Sequence, residues 1–398
     1  MTIKSSINIG FNKFRERRSS ERLLLDPVLL LSGVSLMFIG LIMMTSASIS
    51  IADKSFGEPF YYFNRQVIFA TLGLLVGFAV WKTPLRYWDA LRSILLVAGI
   101  LLLVALLIPN VGHTVKGSTR WIEIAGISFQ ISEIIKVFVV IYMAGFLAKH
   151  QQVLAESMKP IMAPIIVLTV VSMLLLAQPD YGSTVVVAIT VLSMLWLAGV
   201  RLRFFTLITL LAVVALTFVA FSEDYRIRRL TSFLDPWKDR FDSGFQLSQS
   251  LIAFGRGEWF GVGLGESVQK LGYLPEAHTD FVFAVLAEEL GVVGAIVVIG
   301  LFACIAWRAF SIGRKLKERQ NFFGAYLCYG LGAGLIFQAY VNIGVNMGVL
   351  PTKGLTLPLM SYGGSSMIMS CVAIALLLRA DYELRFQYSE DTKDRRAK

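Results

Sequence analysis

Long charge-free windows alternate with short polar joints along this chain. Residues 27–52 carry no charge, and neither do 66–81, 93–115, 160–179, 181–200, 204–222, 320–352 and 354–378. Two further apolar stretches hold ionisable groups: 131–148 contains Glu133 and Lys136, and 281–307 contains Glu288 and Glu289. A helix rising about 1.5 Å per residue needs roughly 20 residues to cross a bilayer, and these ten stretches meet or approach that length. No ten-residue alternation of the kind that builds a barrel is present, and backbone groups in lipid must be satisfied internally, so the spans are expected to be helices. The pattern predicts an all-α, polytopic membrane protein of ten transmembrane helices with a large structured extracytoplasmic loop at 222–280. A basic segment, 1–26, precedes the membrane domain of 27–380, and a polar tail, 381–398, follows it. That tail is expected to fray.

Composition agrees. Hydrophobic residues make up 56% of the 398 and charged residues 16%, which excludes an ordinary soluble domain, nearer 45–50% apolar and about 25% charged. The net charge of +10 suggests nucleic acid only until it is mapped. With the N-terminus inside, Lys and Arg fall on the cytoplasmic side in an excess of about two to one, which places both termini in the cytoplasm and assigns no nucleic-acid partner. Basic cytoplasmic joints such as Arg314, Lys315, Lys317 and Arg319 also suit anionic membrane lipids. The first window is far longer than the 7–15 residues of a signal h-region, so an uncleaved anchor is expected. Cys304, Cys328 and Cys371 lie in apolar stretches without C-x-x-C spacing and read as small hydrophobes, and His113, His150 and His278 show no ligand spacing.

Candidate chemistry gathers on the outer side. A loop as long as 222–280 within a compact membrane domain is usually functional. Within it, Gln246–Phe254 is amphipathic and Gly255–Gly265 is turn-rich. Gly261-Val262-Gly263-Leu264-Gly265 follows no strand, which disfavours a nucleotide loop and leaves either a plain turn or close approach of backbone to a phosphate. Asp280, before the helix at Phe281, reads either as an N-cap (with Thr279 as the other candidate) or as a carboxylate able to take a proton from a sugar hydroxyl. Glu133 and Lys136, three apart, share a helix face: a self-neutralising pair, or an intramembrane charge facing a cavity, where Lys136 could serve a diphosphate as a fixed cation. Glu288 and Glu289 fall roughly 12 Å into their helix with no local basic partner. They suggest a proton path or, the preferred reading, structural hydrogen bonds. Arg226, Arg228 and Arg229 with Arg120 and Lys116 form a candidate cationic surface for phosphate or a salt-bridge network, which Asp180 of the Gln178–Gly182 turn would join. Pro351–Gly354 and Ser361–Ser366 interrupt apolar spans as a re-entrant or cavity-lining strip would.

Taken together, Lys116–Ile122, Phe129–Glu133, Gln178-Pro179-Asp180, Gly255-Arg256-Gly257, Tyr273–Phe281 and Leu350–Gly354 resemble the SEDS family. Tyr225–Arg229 and Gln269-Lys270 are similar to its division branch rather than its elongation branch. The resemblance runs from about residue 26 to 385. Ile131 departs from the family's usual proline there without replacing a reacting group. It implies a ten-helix glycosyltransferase that polymerises lipid II into glycan strands at the septum and releases undecaprenyl diphosphate. Asp280 would be its essential carboxylate and Lys136 would belong to the same cavity. The implied substrate-binding positions are Glu133, Arg120, Trp121, Gln130, Ser132, His278, Gln178, Asp180, Arg226, Arg228, Arg229, Lys353, Ser361, Tyr362, Gly363, Gly364 and Ser365. The implied partners are a class B penicillin-binding transpeptidase (FtsI-like) and the divisome proteins FtsQ, FtsL, FtsB and FtsN, in the bacterial inner membrane. No cofactor is required, no metal site is assigned, and a divalent cation (Mg or Mn) between Asp280 and diphosphate stays open. The other readings are a transporter or flippase of the lipid-linked precursor, and a non-catalytic divisome scaffold.

Overall fold

The computed structural model describes residues 25–397 except 110, 111, 116, 117, 125, 126, 155–158, 223, 240 and 353. Side chains at 113–119, 124–127, 159, 224–226, 229, 230 and 386–397 also lie outside the description. Local chemistry sets the first helix: the Asp26 side chain accepts from the Leu29 N–H at 2.8 Å, Pro27 takes the first position, and left-handed Gly57 ends it. The helices are α1 (Pro27–Phe56), α2 (Tyr61–Lys82), α3 (Leu85–Ala105), α4 (Ile131–Leu154), α5 (Met162–Ala177), α6 (Tyr181–Leu197), α7 (Leu202–Phe221), α8 (Asp224–Leu234), α9 (Phe245–Gly257), α10 (Val282–Glu318), α11 (Phe322–Asn346) and α12 (Gly364–Ala397). Among the described residues, seven helices are long and apolar enough to cross a membrane: α1, α2, α3, α4, α7, α10 and α11. The shorter apolar α5 and α6 and the start of α12 occupy the other three windows.

Helices α4 and α11 form the buried centre, with α11 packed on α10, α4 and α6, and α12 packed on α2. By contrast α7 is exposed or partly exposed nearly all round, with Ile208 its one buried residue. One end of the bundle gathers Asp280, the 347–363 segment, the 178–180 turn and the start of α2. The other gathers Asp26, Arg308, Asp381 and Arg385, where Arg385 forms an ion pair with Asp381 at 2.6 Å and donates to Asp26 at 3.1 Å, and Arg308 pairs with Asp26. This clasp holds the first residues of the tail, while the side chains of 386–397, on which the expected fraying falls, lie outside the description. Ala380, Asp381 and Leu384 are buried, because the polar stretch after Arg379 carries partners for the N-cap of α1.

Three expectations change. The polar stretch 110–130 holds a three-stranded antiparallel sheet, β1 (His113–Val115), β2 (Ser118–Ile124) and β3 (Ile127–Gln130), pairing Trp121 with Gln130 and Ile122 with Phe129. The last apolar window begins ten residues before its helix, which starts at Gly364. And α10 is two helices joined at Gly291, whose φ of 67° and ψ of −166° break the turn.

That break explains the glycine-rich loop. Val262 N–H donates to Glu288 O at 3.0 Å and Gly263 N–H to Glu289 O at 3.1 Å, while Val292 and Val293 donate to Glu258 O and Trp259 O at 2.9 and 3.1 Å. Residues 258–263 are thus inserted where the 288-to-292 and 289-to-293 helical bonds would be, and every displaced backbone group is re-paired. Non-helical backbone at membrane depth is tolerated only when buried in protein in this way. A Cβ on Gly257 would lie 1.9 Å from Ala287 O, and one on Gly261 2.1 Å from Glu289 O. Gly257 and Gly261 are close-approach positions, and what approaches is the break in α10, whereas Gly263 and Gly265 are left-handed turn positions where an added Cβ would meet nothing closer than 3.7 Å.

Candidate active site

Asp280 does not cap its helix. The N-cap of α10 is Phe281, without a side-chain bond, and Thr279 donates instead to the Glu276 carboxylate at 2.8 Å. Another helix supports the first turn: Asn346 Oδ1 receives the Ala284 N–H at 3.0 Å, which also donates to Phe281 O at 3.1 Å. Asn342 and Asn346, one turn apart on α11, both donate to the Asp280 backbone carbonyl, at 2.9 and 3.0 Å. So two buried amides fix the Asp280 backbone while its half-buried carboxylate lies against the backbone of Gly354, where a Cβ would come within 3.1 Å of Oδ2.

Lys136 belongs to the same 350–363 strip through α11. Its ammonium donates to Glu133 Oε1 at 2.8 Å and Gln338 Oε1 at 2.6 Å, and Gln338 donates to Thr356 O at 3.0 Å. Two of the three ammonium donors are therefore filled. The pair is largely buried, with side-chain exposures of 11% for Lys136 and 7% for Glu133. It lines a cavity of about 50 Å³ whose wall also includes Val140, Val187, Thr190, Gly330 and Ser370. Gly354, beside Asp280, and Thr356, joined to Lys136, are two residues apart, so one strip of backbone carries both halves of the site.

Fasteners hold that strip. Ser361 Oγ accepts from Leu357 N–H, Thr356 donates to Ser366, and Ser365 Oγ accepts from Gln130 N–H, each at 2.8 Å. Gln130 also donates to buried Ser132 at 3.0 Å. From α2, fully buried Gln66 donates to Ser361 O at 3.1 Å and accepts from Gly363 N–H at 3.3 Å, and Gly364 packs against the Phe69 ring. Tyr362 donates its N–H to His278 O at 2.9 Å, and Tyr62, His278 and Tyr362 form one aromatic group with centroids 4.6 to 5.7 Å apart.

Arg120, Gln178 and Asp180 form a separate clamp. Arg120 donates to Gln178 O at 3.3 Å and to Pro179 O, and stands 3.7 Å from Asp180. Asp180 caps α6 through the Ser183 N–H, and Gln178 ties the turn to Leu103 O at 2.9 Å. Trp121 follows Arg120 in the sheet, half-buried. Arg228 is exposed on α8. The side chains of Arg226, Arg229 and Lys116, and the whole of Lys353, lie outside the described residues.

Glu288 and Glu289 do have basic partners, contrary to the sequence expectation. Those partners come from the long loop, which spacing along one helix could not reveal. Glu288 pairs with Arg256 at 2.9 Å and also accepts from Ser267 and from the Val268 and Gln269 N–H groups. Glu289 Oε1 accepts from Lys270 at 2.8 Å and Ser46 at 2.7 Å, and its Oε2 is buried without a hydrogen-bond partner. Both carboxylates thus tie the loop to α10, the structural role preferred above. Removing one partner of a buried pair costs about 3–5 kcal/mol, whereas replacing both by apolar groups is often neutral. Glu289→Ala is therefore expected to lower the thermal midpoint of the purified protein sharply, and Glu289→Leu combined with Lys270→Met to recover most of it. Equal losses in the single and double variants would contradict this assignment.

The residues that spacing missed are Gln338, Asn342, Asn346 and Gln66. The first three stand four apart in an otherwise uncharged helix, a polar stripe on one face, and that stripe is the signal a search for charges passes over.

A helical membrane bundle with a carboxylate and a lysine on one interrupted strip defines a polytopic membrane protein with an enzyme-like site. Residues 27–386 match the family described as "Cell cycle protein", that of FtsW, RodA and SpoVE, and the chain belongs to it. It is 50% identical over 359 residues to the probable peptidoglycan glycosyltransferase FtsW of Thioalkalivibrio sulfidiphilus, covering 90% of each chain. It is 51% identical over 361 residues to the protein of the same name from Nitrosococcus halophilus, covering 91% of this chain and 93% of that one. Among solved structures it is similar to a chain from a peptidoglycan synthase complex that coordinates polymerization and crosslinking, with a TM-score of 0.73, 29% identity, and coverage of 92% of this chain and 100% of that one. It is also similar to the rod shape determining protein RodA of Thermus thermophilus, with a TM-score of 0.67, 26% identity, and coverage of 91% and 98%.

Proposed function

We propose that this chain is a peptidoglycan glycosyltransferase that polymerises lipid II on the outer face of the bacterial inner membrane, at the division septum. The observation that carries the reading is the placement of the half-buried Asp280 carboxylate against Gly354, two residues along the same strip from Thr356, which Gln338 joins to Lys136. Asp280 acts as general base on the acceptor sugar hydroxyl, which attacks the anomeric carbon of the donor. The C–O bond to diphosphate breaks, and undecaprenyl diphosphate leaves with the electron pair. Lys136, oriented by Glu133 and Gln338, adds fixed positive potential in a low-dielectric setting, where preorganised charge is most effective. The lipid carries the activated bond, so no nucleotide is needed. No group of three His, Cys, Asp or Glu side chains gathers among the described residues; a divalent cation at Asp280 would have to complete its ligands with diphosphate oxygens.

The ten-span topology with both termini cytoplasmic belongs to this proposal. So do a class B penicillin-binding transpeptidase as partner, in keeping with the crosslinking half of the similar complex, and FtsQ, FtsL, FtsB and FtsN at the septum. The test is incubation of purified protein and partner transpeptidase with lipid II in proteoliposomes. Glycan strands are expected. Movement of lipid II between leaflets without polymer would establish a transporter instead, and neither outcome a scaffold.

A further inference from the structure

Two of the cations assigned from sequence are engaged: Lys136 by Glu133 and Gln338, Arg120 by the 178–180 turn and Asp180. Arg65 differs. It lies one turn into α2, its side chain is exposed, and among the described residues no carboxylate lies within ion-pair distance of it. Yet it is not loose. Its guanidinium stands 5.2 Å from the Tyr61 ring centroid, and Tyr61 stacks on Phe56 at 4.0 Å and meets Tyr62 edge-on at 5.4 Å. Tyr62 in turn meets His278, two residues before Asp280, at 4.6 Å, and Tyr362 at 5.0 Å. Arg65 is thus a positioned cation, held by aromatic faces, at the edge of the group that leads to the candidate base.

We infer that Arg65 binds the diphosphate of the polyprenyl-linked substrate, an inference that rests on the function proposed above. The helix supplies the second half of the argument. Ile68, Leu72 and Leu75 follow Arg65 at three, seven and ten residues, share its face, and are exposed large apolar side chains. A polyprenyl chain lying along that stripe brings its first charged group to the Arg65 level, at the outer end of α2. A guanidinium there can meet two phosphate oxygens through parallel N–H donors, which an ammonium cannot. The carboxylates of a soluble muramyl peptide would share the charge but make no use of the stripe.

Equilibrium binding of labelled undecaprenyl diphosphate to the full-length protein in detergent reads this without turnover, so its result stands even if lipid II is not polymerised. Arg65→Gln is expected to weaken binding about tenfold or more and Arg65→Lys less, with binding of uncharged undecaprenol unchanged. Thermal unfolding of each variant checks that the exposed position leaves the fold intact. Wild-type affinity in Arg65→Gln, an equal loss for undecaprenol, or displacement of the lipid by soluble muramyl pentapeptide would each overturn the assignment. Polymerising wild type with an indifferent Arg65→Gln removes Arg65 alone; a wild type that binds through Arg65 but makes no glycan removes the catalytic reading alone.

Discussion

Asp280→Asn protein is expected to fold as the wild type does and to polymerise lipid II at least a hundredfold more slowly. Positioned general bases contribute about 10²–10⁴ in rate, and asparagine keeps the shape of the side chain while removing its proton affinity. The structure supplies the reason for an intact fold. The backbone carbonyl of Asp280, not its carboxylate, receives Asn342 and Asn346, and the first turn of α10 is served by Asn346. The substitution therefore leaves these bonds in place. Asn346→Ala forms the contrast. It removes a fully buried amide that joins α11 to α10, and although the Ala284 N–H keeps Phe281 O at 3.1 Å, the Asn346 bonds to Ala284 N–H and Asp280 O are lost at about 0.5–1.5 kcal/mol each, so it lowers the thermal midpoint as well as the rate. Glycan chain length and amount, followed beside thermal unfolding, separate the two. Polymerisation by folded Asp280→Asn at the wild-type rate would remove Asp280 from the chemistry.

The architecture was legible because lipid imposes one rule, internal satisfaction of backbone, and charge-free windows register it directly. Helices α1, α4, α6 and α11 fall close to their windows for that reason. What the pattern could not register are bonds that cross between segments. The window 93–115 runs past the end of α3 into β1, since an uncharged residue such as Thr114 suits a sheet as well as a span. Glu288 and Glu289 read as isolated because Arg256 and Lys270 are 32 and 19 residues away in sequence. Motif reading located Asp280, Lys136 and the strip between them, because each is an unusual residue in an apolar setting. It passed over Gln338, Asn342 and Arg65. Two are neutral amides hidden in a span, and the third begins a helix where a basic residue has an obvious topological use. Even so, these residues decide the geometry: Gln338 and Asn342 join the strip to Lys136 and Asp280, at 2.6 Å to the ammonium and 2.9 Å to the backbone carbonyl.

Gly261→Ala is expected to destabilise the protein by about 4 kcal/mol or more, enough to deplete folded protein from the membrane. Its φ of 80° already disfavours a side chain, at about 1–2 kcal/mol, and the new methyl would meet Glu289 O at 2.1 Å and Leu290 N at 2.6 Å. These are backbone atoms of the broken turn and cannot swing aside. Relief requires withdrawing residues 258–263, which strips Glu288 O and Glu289 O of the Val262 and Gly263 N–H groups and Val292 and Val293 of their acceptors. Buried groups left unsatisfied cost about 1–3 kcal/mol each. Gly265→Ala separates conformational strain from contact. Its φ of 86° is equally left-handed, but nothing lies within 4 Å of the added carbon, so only the backbone term of about 1–2 kcal/mol applies. Thermal unfolding and monodispersity in detergent compare the pair at matched expression. A marked loss at Gly261 with a small one at Gly265 identifies the inserted loop as the element that closes the break in α10. Equal losses would reduce the glycine run to a set of turns.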